Sequence, residues 1–153
     1  MSSTNTRVRA IVRVRPMNGK ELGASVKECV SGCSNGDASQ ALSIFDPVCF
    51  QAGVRSELIR SWSRDFVFDK CLWSNVDSAH PLYATQEDLF LEIGEPVIEW
   101  VSTGFNCCVF AFGQTGSGKT YSMMGNIEGS PEDYGLIPRI CFSLFNTLKK
   151  QTT

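Results

Sequence analysis

The sequence predicts an α/β protein with a mainly parallel central sheet flanked by helices, on three observations. The run "NCCVFAF" (106–112) is apolar at nearly every position, as strands buried on both faces are. Stretches with apolar residues every three or four positions stand before it and after it, so helices flank it along the chain. Directly after the strand stands "GQTGSGK" (113–119), a loop almost without side chains, which opens at once into helix-forming residues.

Residues 7 to 15 alternate basic and apolar, the pattern of a strand with one wet face, and stop at Pro16, which cannot continue a central ladder. Residues 17 to 41 are rich in Gly, Ser, Asn and Lys and read as loop. "LSIFDPVCF" (42–50) and "RDFVFDKCLW" (64–73) are two further strands, and "QAGVRSELIRSWS" between them fits either a hairpin loop or a short helical turn. A polar loop with His80-Pro81 covers 74 to 84. Thr85 and Asp88 then stand at capping-box spacing and open a helix with Leu89, Phe90, Ile93, Val97 and Val101 on one stripe. Pro96 inside that stripe predicts a kink or break, and Gly104 a C-terminal stop. After the glycines a helix is expected from about Gly118 to Met124, then an exposed loop "GNIEGSPEDYG". Pro138 is expected to open a last helix carrying Ile140, Leu144 and Leu148 on one side, with Lys149 and Lys150 at its end.

At 153 residues, 42% hydrophobic and 20% charged, the chain has the size and composition of one globular domain. A net charge of -2 gives no basic field for nucleic acid or an acidic membrane surface. Seven cysteines include no C-x-x-C pair, and His80 is the one histidine, so a zinc site has poor raw material. Their odd number points to reduced thiols in the cytosol, with Cys107 and Cys108 packed as small hydrophobes. No apolar run approaches the roughly 20 residues that span a bilayer, so no membrane insertion is expected.

Gly113, Gly116, Gly118, Lys119 and Thr120 satisfy G-x-x-x-x-G-K-[ST] in full, after a strand and before a helix. The physical reason for such a loop is an anion. Several backbone N–H groups must converge on it, and side chains would block that approach. Gly113, Gln114, Thr115, Gly116, Ser117 and Gly118 would supply those amides, and the helix N-terminus adds about half a positive charge. Lys119 would reach the β and γ phosphates of a nucleoside triphosphate, and the Thr120 hydroxyl a Mg²⁺ ion bridging them. The fold is therefore expected to be of the P-loop NTPase type. An acidic partner at a neighbouring strand end has two candidates, Asp46 and Asp69, each explained as well by a strand-end turn.

The flanking residues narrow the choice. "FAFGQTGSGKTYSMMG" closely resembles the nucleotide loop of kinesin motor domains. "VRAIVRVRPMNGKE" (8–21) resembles that family's first strand and its R-x-R-P signature, here Arg13, Arg15 and Pro16. "FVFDK" (66–70) is similar to its F-x-F-D segment, and "ATQEDLFLEIGEPVIEWVSTGFN" (84–106) to the helix and Gly-Tyr-Asn turn before its P-loop. "LWSN", "EIG", "MMG" and "YGLIPRICFSLF" are most similar to the third, cargo-transporting kinesin class. Phe112 and Phe105 stand where the family has tyrosines, keeping the ring and losing a hydroxyl.

The resemblance implies ATP and Mg²⁺ as ligands. Arg13, Arg15 and Pro16 would border the adenine with Tyr121 stacking on its other side, and Lys119 and Thr120 would be the catalytic residues. It also implies the N-terminal portion of a motor domain, residues 1–6 a disordered lead and 7–153 the nucleotide-binding half, incomplete at the C-terminal end. Neither switch motif of the family, N-x-x-S-S-R-S-H or D-L-A-G-S-E, occurs in the sequence, nor does any D-x-x-G. Microtubules would be the partner, through regions outside these residues, and the microtubule cytoskeleton of the cytoplasm the location. Two alternatives stand beside this: another P-loop phosphotransferase or GTPase, against which the upstream Arg13-x-Arg15-Pro16 and the lack of N-K-x-D count, and a non-catalytic nucleotide-binding product.

Overall fold

A computed structural model of the chain describes residues 8–24, 26–32, 38–45 and 63–151. The chain divides into two compact units, residues 1–83 and 84–153. In the first, β1 (Ile11–Val14) runs parallel to β5 (Lys70–Trp73), with Ile11 opposite Lys70 and Val14 opposite Trp73. β2 (Val30–Gly32), β3 (Ala41–Phe45) and β4 (Ser63–Val67) form an antiparallel sheet in the order β2-β3-β4. Leu42 of β3 and Cys71 and Trp73 of β5 are the buried centre of this unit, packed against Val12, Val14, Val30, Phe68 and Val76. Full burial of a side chain such as Leu42 contributes about 1.5–3 kcal/mol. The Trp73 indole N–H donates to the Ala38 carbonyl at 2.6 Å, so its polar edge is satisfied as its rings are buried.

Two expectations for this unit are corrected. Residues 17–41 are not all loop: α1 (Gly19–Gly23) and β2 lie within them. α1 forms because Asn18 Oδ1 accepts the Lys20 and Glu21 N–H groups at 3.0 Å, while the Glu21 carboxylate takes the Asn18 N–H at 2.8 Å. The 64–73 strand is two strands, parted at Phe68–Asp69. There the Asp69 carboxylate accepts the Ala10 N–H at 2.7 Å and the Asp69 N–H donates to the Ala10 carbonyl at 3.0 Å. This turn sends β4 to the antiparallel sheet and β5 to the parallel pair. The 1–6 lead, Asp46 and the rest of 46–50, and the 51–62 segment lie outside the described residues.

The second unit begins with α2 (Gln86–Leu89), opened by the capping box expected at Thr85 and Asp88. The Asp88 N–H donates to Thr85 Oγ1 at 3.2 Å, and the Thr85 N–H to the Asp88 carboxylate at 2.8 Å. A wide turn, Phe90–Gly94, joins it to α3 (Glu95–Ser102), and in it the Glu95 N–H reaches the Phe90 carbonyl five residues back. The kink expected near Pro96 is this turn, displaced to the residues before the proline. Pro96 has no N–H to offer, and the π-type turn takes up the lost bond without breaking the helix. The Phe90 ring packs so close to Gly94 that a Cβ there would collide with it. α3 stops at Gly104, whose N–H donates to the Val101 carbonyl at 3.0 Å.

After α4 (Lys119–Met123) come a 3₁₀ turn (Pro131–Asp133) and α5 (Leu136–Gln151), which packs on the wide turn and α3. α5 starts two residues before Pro138, at the buried Leu136; a proline in the first turn removes only an N–H with no intrahelical partner. The largest departure is at 106–112, expected as a buried strand. It carries no strand, and Phe110 and Phe112 are 85% and 101% exposed. A strand needs ladder partners on its edges, and none of the described elements supplies them. Cys108 is accordingly exposed rather than packed, and Cys107 half-buried. No helix among the described residues is long and apolar enough to cross a membrane.

Candidate functional site

The glycine loop has the backbone its composition requires. Gly113, Gly116 and Gly118 take φ values of 151, 81 and 92°, a region that L side chains rarely adopt. A Cβ on Gly113 would also lie 2.5 Å from Ser117 Oγ. The Ser117 N–H donates to the Gln114 carbonyl at 3.1 Å and closes the turn. Gly118 is the residue before α4, and no side chain caps the helix there, so its first N–H groups, those of Lys119 and Thr120, lie at an open helix end.

Lys119 folds back over the loop. Its ammonium donates to the carbonyls of Gly113 and Gln114, both at 2.8 Å. Ser117 Oγ is buried and, among the described residues, has no hydrogen-bond partner. Thr120 is exposed in the first turn of α4. An uncapped helix end, an ammonium seated on the loop and a buried hydroxyl without a partner among the described residues fit an anion with several oxygens, which is what a polyphosphate chain offers. No group of three or more His, Cys, Asp or Glu among the described residues could hold a metal ion. A Mg²⁺ ion fits this donor set only when phosphate oxygens and water complete its shell around Thr120.

α4 is anchored from behind by residues that the sequence reading did not single out. The buried Gln86 amide donates to the Tyr121 carbonyl at 2.8 Å and to the Asp133 carbonyl at 3.4 Å, tying the helix to the loop beyond it. Arg139 holds the other side of that loop, donating to the carbonyls of Tyr134 at 2.7 Å and Glu132 at 3.0 Å and pairing with Glu87. Arg139 had a signal, a lone charge in the first turns of the otherwise apolar α5, whereas Gln86 stands among the polar residues Thr85, Glu87 and Asp88 and had none. The Tyr121 side chain itself lies outward, with the residue 47% exposed, so it is not a core aromatic.

Gly113 to Tyr121 thus come together in one loop and helix of the second unit. Arg13, Arg15 and Pro16 stand together in the first. Arg13 Nε donates to Ser74 Oγ at 2.9 Å. Arg15 lays its two terminal nitrogens on the two Glu21 oxygens, at 2.8 and 2.6 Å, and also donates to the Pro16 carbonyl at 2.7 Å. Asp69 is exposed and held in the turn by Ala10, which assigns it to the strand end.

The Arg15 guanidinium, and after it the Asn18 N–H, pull the Glu21 carboxyl from its usual 4.5 to about 2. Folding therefore favours the ionised form. The contribution of the pair is complete above about pH 4.5 and is lost as pH falls toward about 2. The melting-temperature difference between the parent and Glu21→Gln, read by scanning fluorimetry, should be constant from neutral pH to about 4.5 and narrow below it. A difference independent of pH would contradict the pairing.

A family model described as the kinesin motor domain matches residues 13–153. Kinesin-like protein KIF13A of Mus musculus is 40% identical over 145 residues, which are 95% of this chain and 8% of that protein. Kinesin-like protein Klp98A of Drosophila melanogaster is 37% identical over 146 residues, 93% of this chain and 10% of that one. Among solved structures, KIF14 with ADP in complex with a microtubule matches with a TM-score of 0.75 at 33% identity, covering 98% of this chain and 36% of that chain. The chain spans about a tenth or less of these curated relatives and about a third of the solved one.

Proposed function

The chain belongs to the kinesin motor-domain family, and on that premise we propose that it is the ATP-binding part of a motor that couples ATP hydrolysis to movement along microtubules. The observation that carries this is the loop at 113–119, where three left-handed glycines and a folded-back lysine make a cradle for a triphosphate. Lys119 binds the β and γ phosphates: its present acceptors are neutral carbonyls, and anionic phosphate oxygens add the attraction of opposite charges to the hydrogen bond. The amides of Gly113, Gln114, Thr115, Gly116 and Gly118 take the remaining oxygens, and that of Ser117 joins them on leaving the Gln114 carbonyl. Thr120 gives its hydroxyl to Mg²⁺, which when bound neutralises charge developing on the transferred phosphoryl group. Tyr121, exposed on the helix that follows the loop, stacks on the adenine, and the roles of Arg13, Arg15 and Pro16 toward the base rest on the family resemblance alone.

The microtubule is the partner named for the KIF14 structure, and the same partner, with residence on the microtubule cytoskeleton of the cytoplasm, is proposed for the protein of which these residues form part. The test is a chimera in which residues 13–153 replace the matching segment of the KIF13A motor domain. Microtubule-stimulated ATP turnover is expected to survive the exchange. A chimera that folds and binds microtubules but hydrolyses no ATP would overturn the proposal.

The adenine assignment makes its own prediction. Tyr121→Ala should weaken ATP by about tenfold or a little more, from the loss of roughly 1–3 kcal/mol of base stacking. Inorganic tripolyphosphate has no base and should bind as before. Equal weakening of both, in competition titrations against a fluorescent ATP analogue, would make Tyr121 a structural residue.

A further inference from the structure

We propose that Gln86 is a positioning residue for the phosphate loop: by holding the C-terminal end of α4 it fixes how the other end presents Lys119 and Thr120. This rests on the reading of residues 113–120 as a phosphate cradle, and all the residues concerned lie in the second unit. α4 has five residues, well short of the roughly 12–15 at which an isolated helix becomes marginal in water. No side chain caps its N-terminal end and none of its residues is buried, so neither an N-cap nor a buried face of its own fixes it.

The C-terminal end is held. The Gly125 N–H goes to the Thr120 carbonyl, five residues back, at 3.4 Å, and the helix stops. One residue on, the Tyr121 carbonyl accepts the Gln86 amide at 2.8 Å. The same nitrogen reaches the Asp133 carbonyl at 3.4 Å, which also accepts the Asn126 N–H at 3.0 Å. A single amide thus ties the end of α4 to both arms of the loop that follows it. Gln86 is 4% exposed and stands in the first turn of α2, whose start is set by the Thr85–Asp88 capping box. Burying a glutamine costs desolvation and rotamer entropy unless its amide is used. Here it is used on the residue directly after Lys119 and Thr120, so a shift of that carbonyl passes to them through rigid peptide planes.

Gln86→Met keeps the length of the side chain and removes the donor. Leu89→Val is the comparison: it takes one methylene from a buried side chain on the same helix, at a similar cost to stability. Dissociation constants for inorganic tripolyphosphate and ATP are measured by competition against a fluorescent ATP analogue at sub-micromolar protein, beside melting temperatures. Gln86→Met should weaken both ligands by the same factor, roughly fivefold or more, and Leu89→Val neither, at a similar fall in melting temperature. Gln86→Glu, which sets a carboxylate against two carbonyl oxygens, should weaken both further. In the parent, which needs no variant to fold, tripolyphosphate should slow hydrogen exchange in 126–135 as well as in 113–122, because Asp133 shares the Gln86 amide with Tyr121. Exchange in 126–135 that ignores the ligand would overturn the proposal. If Leu89→Val weakens binding as much as Gln86→Met, Gln86 serves the fold alone and the proposal fails. If Gln86→Met binds as the parent does while Lys119→Ala does not bind, the positioning role is wrong and the phosphate cradle stands. If Lys119→Ala binds as the parent does, the cradle itself fails and takes the proposal with it.

Discussion

Lys119→Ala is expected to abolish ATP binding, with affinity reduced at least about a hundredfold. Among the described residues Lys119 is the side-chain cation seated on the glycine loop, its ammonium 2.8 Å from the carbonyls of Gly113 and Gln114. Hydrogen bonds from a charged donor contribute about 1.5–3 kcal/mol each. Losing two of them to phosphate oxygens removes about 3 kcal/mol or more, which is the hundredfold. Tripolyphosphate should be lost in parallel, because the contact is to phosphate and not to base, and this separates Lys119 from Tyr121. The glycine φ values do not depend on the lysine, so the circular dichroism spectrum should be unchanged. Equal affinity for ATP in parent and variant, measured by fluorescent ATP titration at sub-micromolar protein, would remove the phosphate-cradle assignment.

These 153 residues taken alone are expected to show no microtubule-stimulated ATP turnover and to self-associate at micromolar concentration. The chemical reason is positioning. Phosphoryl transfer depends almost entirely on oriented groups, and neither switch motif of the family, which would orient water and read the γ-phosphate, occurs in the sequence. The physical reason is exposed apolar surface. Phe110 and Phe112 stand 85% and 101% exposed, and Phe142 and Phe145 on α5 61% and 65%. Exposed apolar surface of this kind drives association unless something covers it. Turnover with and without microtubules, beside size-exclusion chromatography, decides the matter. A monodisperse monomer with stimulated turnover would contradict both reasons.

What was legible in the sequence is what short-range chemistry determines. The glycine loop needs three left-handed residues, and only glycines take them without strain, so its position and shape could be read directly. The Thr85–Asp88 capping box and the Gly104 stop are equally local, and both stand where spacing put them. α1 was missed although it uses the same capping chemistry, because a glycine-rich stretch of five residues has no apolar stripe to announce it. The break at Phe68–Asp69 was missed because "RDFVFDKCLW" reads as one strand, and only the Ala10 bonds to Asp69 part it. "NCCVFAF" failed for the opposite reason. Its composition is that of a buried strand, but a strand is a pairing, and pairing depends on partners distant in the chain. The adenine-side roles of Arg13, Arg15 and Pro16 came from family resemblance alone; the Glu21 contact that fixes Arg15 had a signal in Asn18 and Glu21, which stand at capping-box spacing.

The central claim is that residues 113–120 receive the phosphates of ATP. Hydrogen exchange of the backbone amides, followed by mass spectrometry with and without Mg-ATP at low protein concentration, tests it most directly. The amides of 113–122 should exchange at least about tenfold more slowly when ATP is bound, with tripolyphosphate giving the same protection and Lys119→Ala abolishing it. Saturating ATP that protects other segments and leaves 113–120 exchanging as before would contradict the claim.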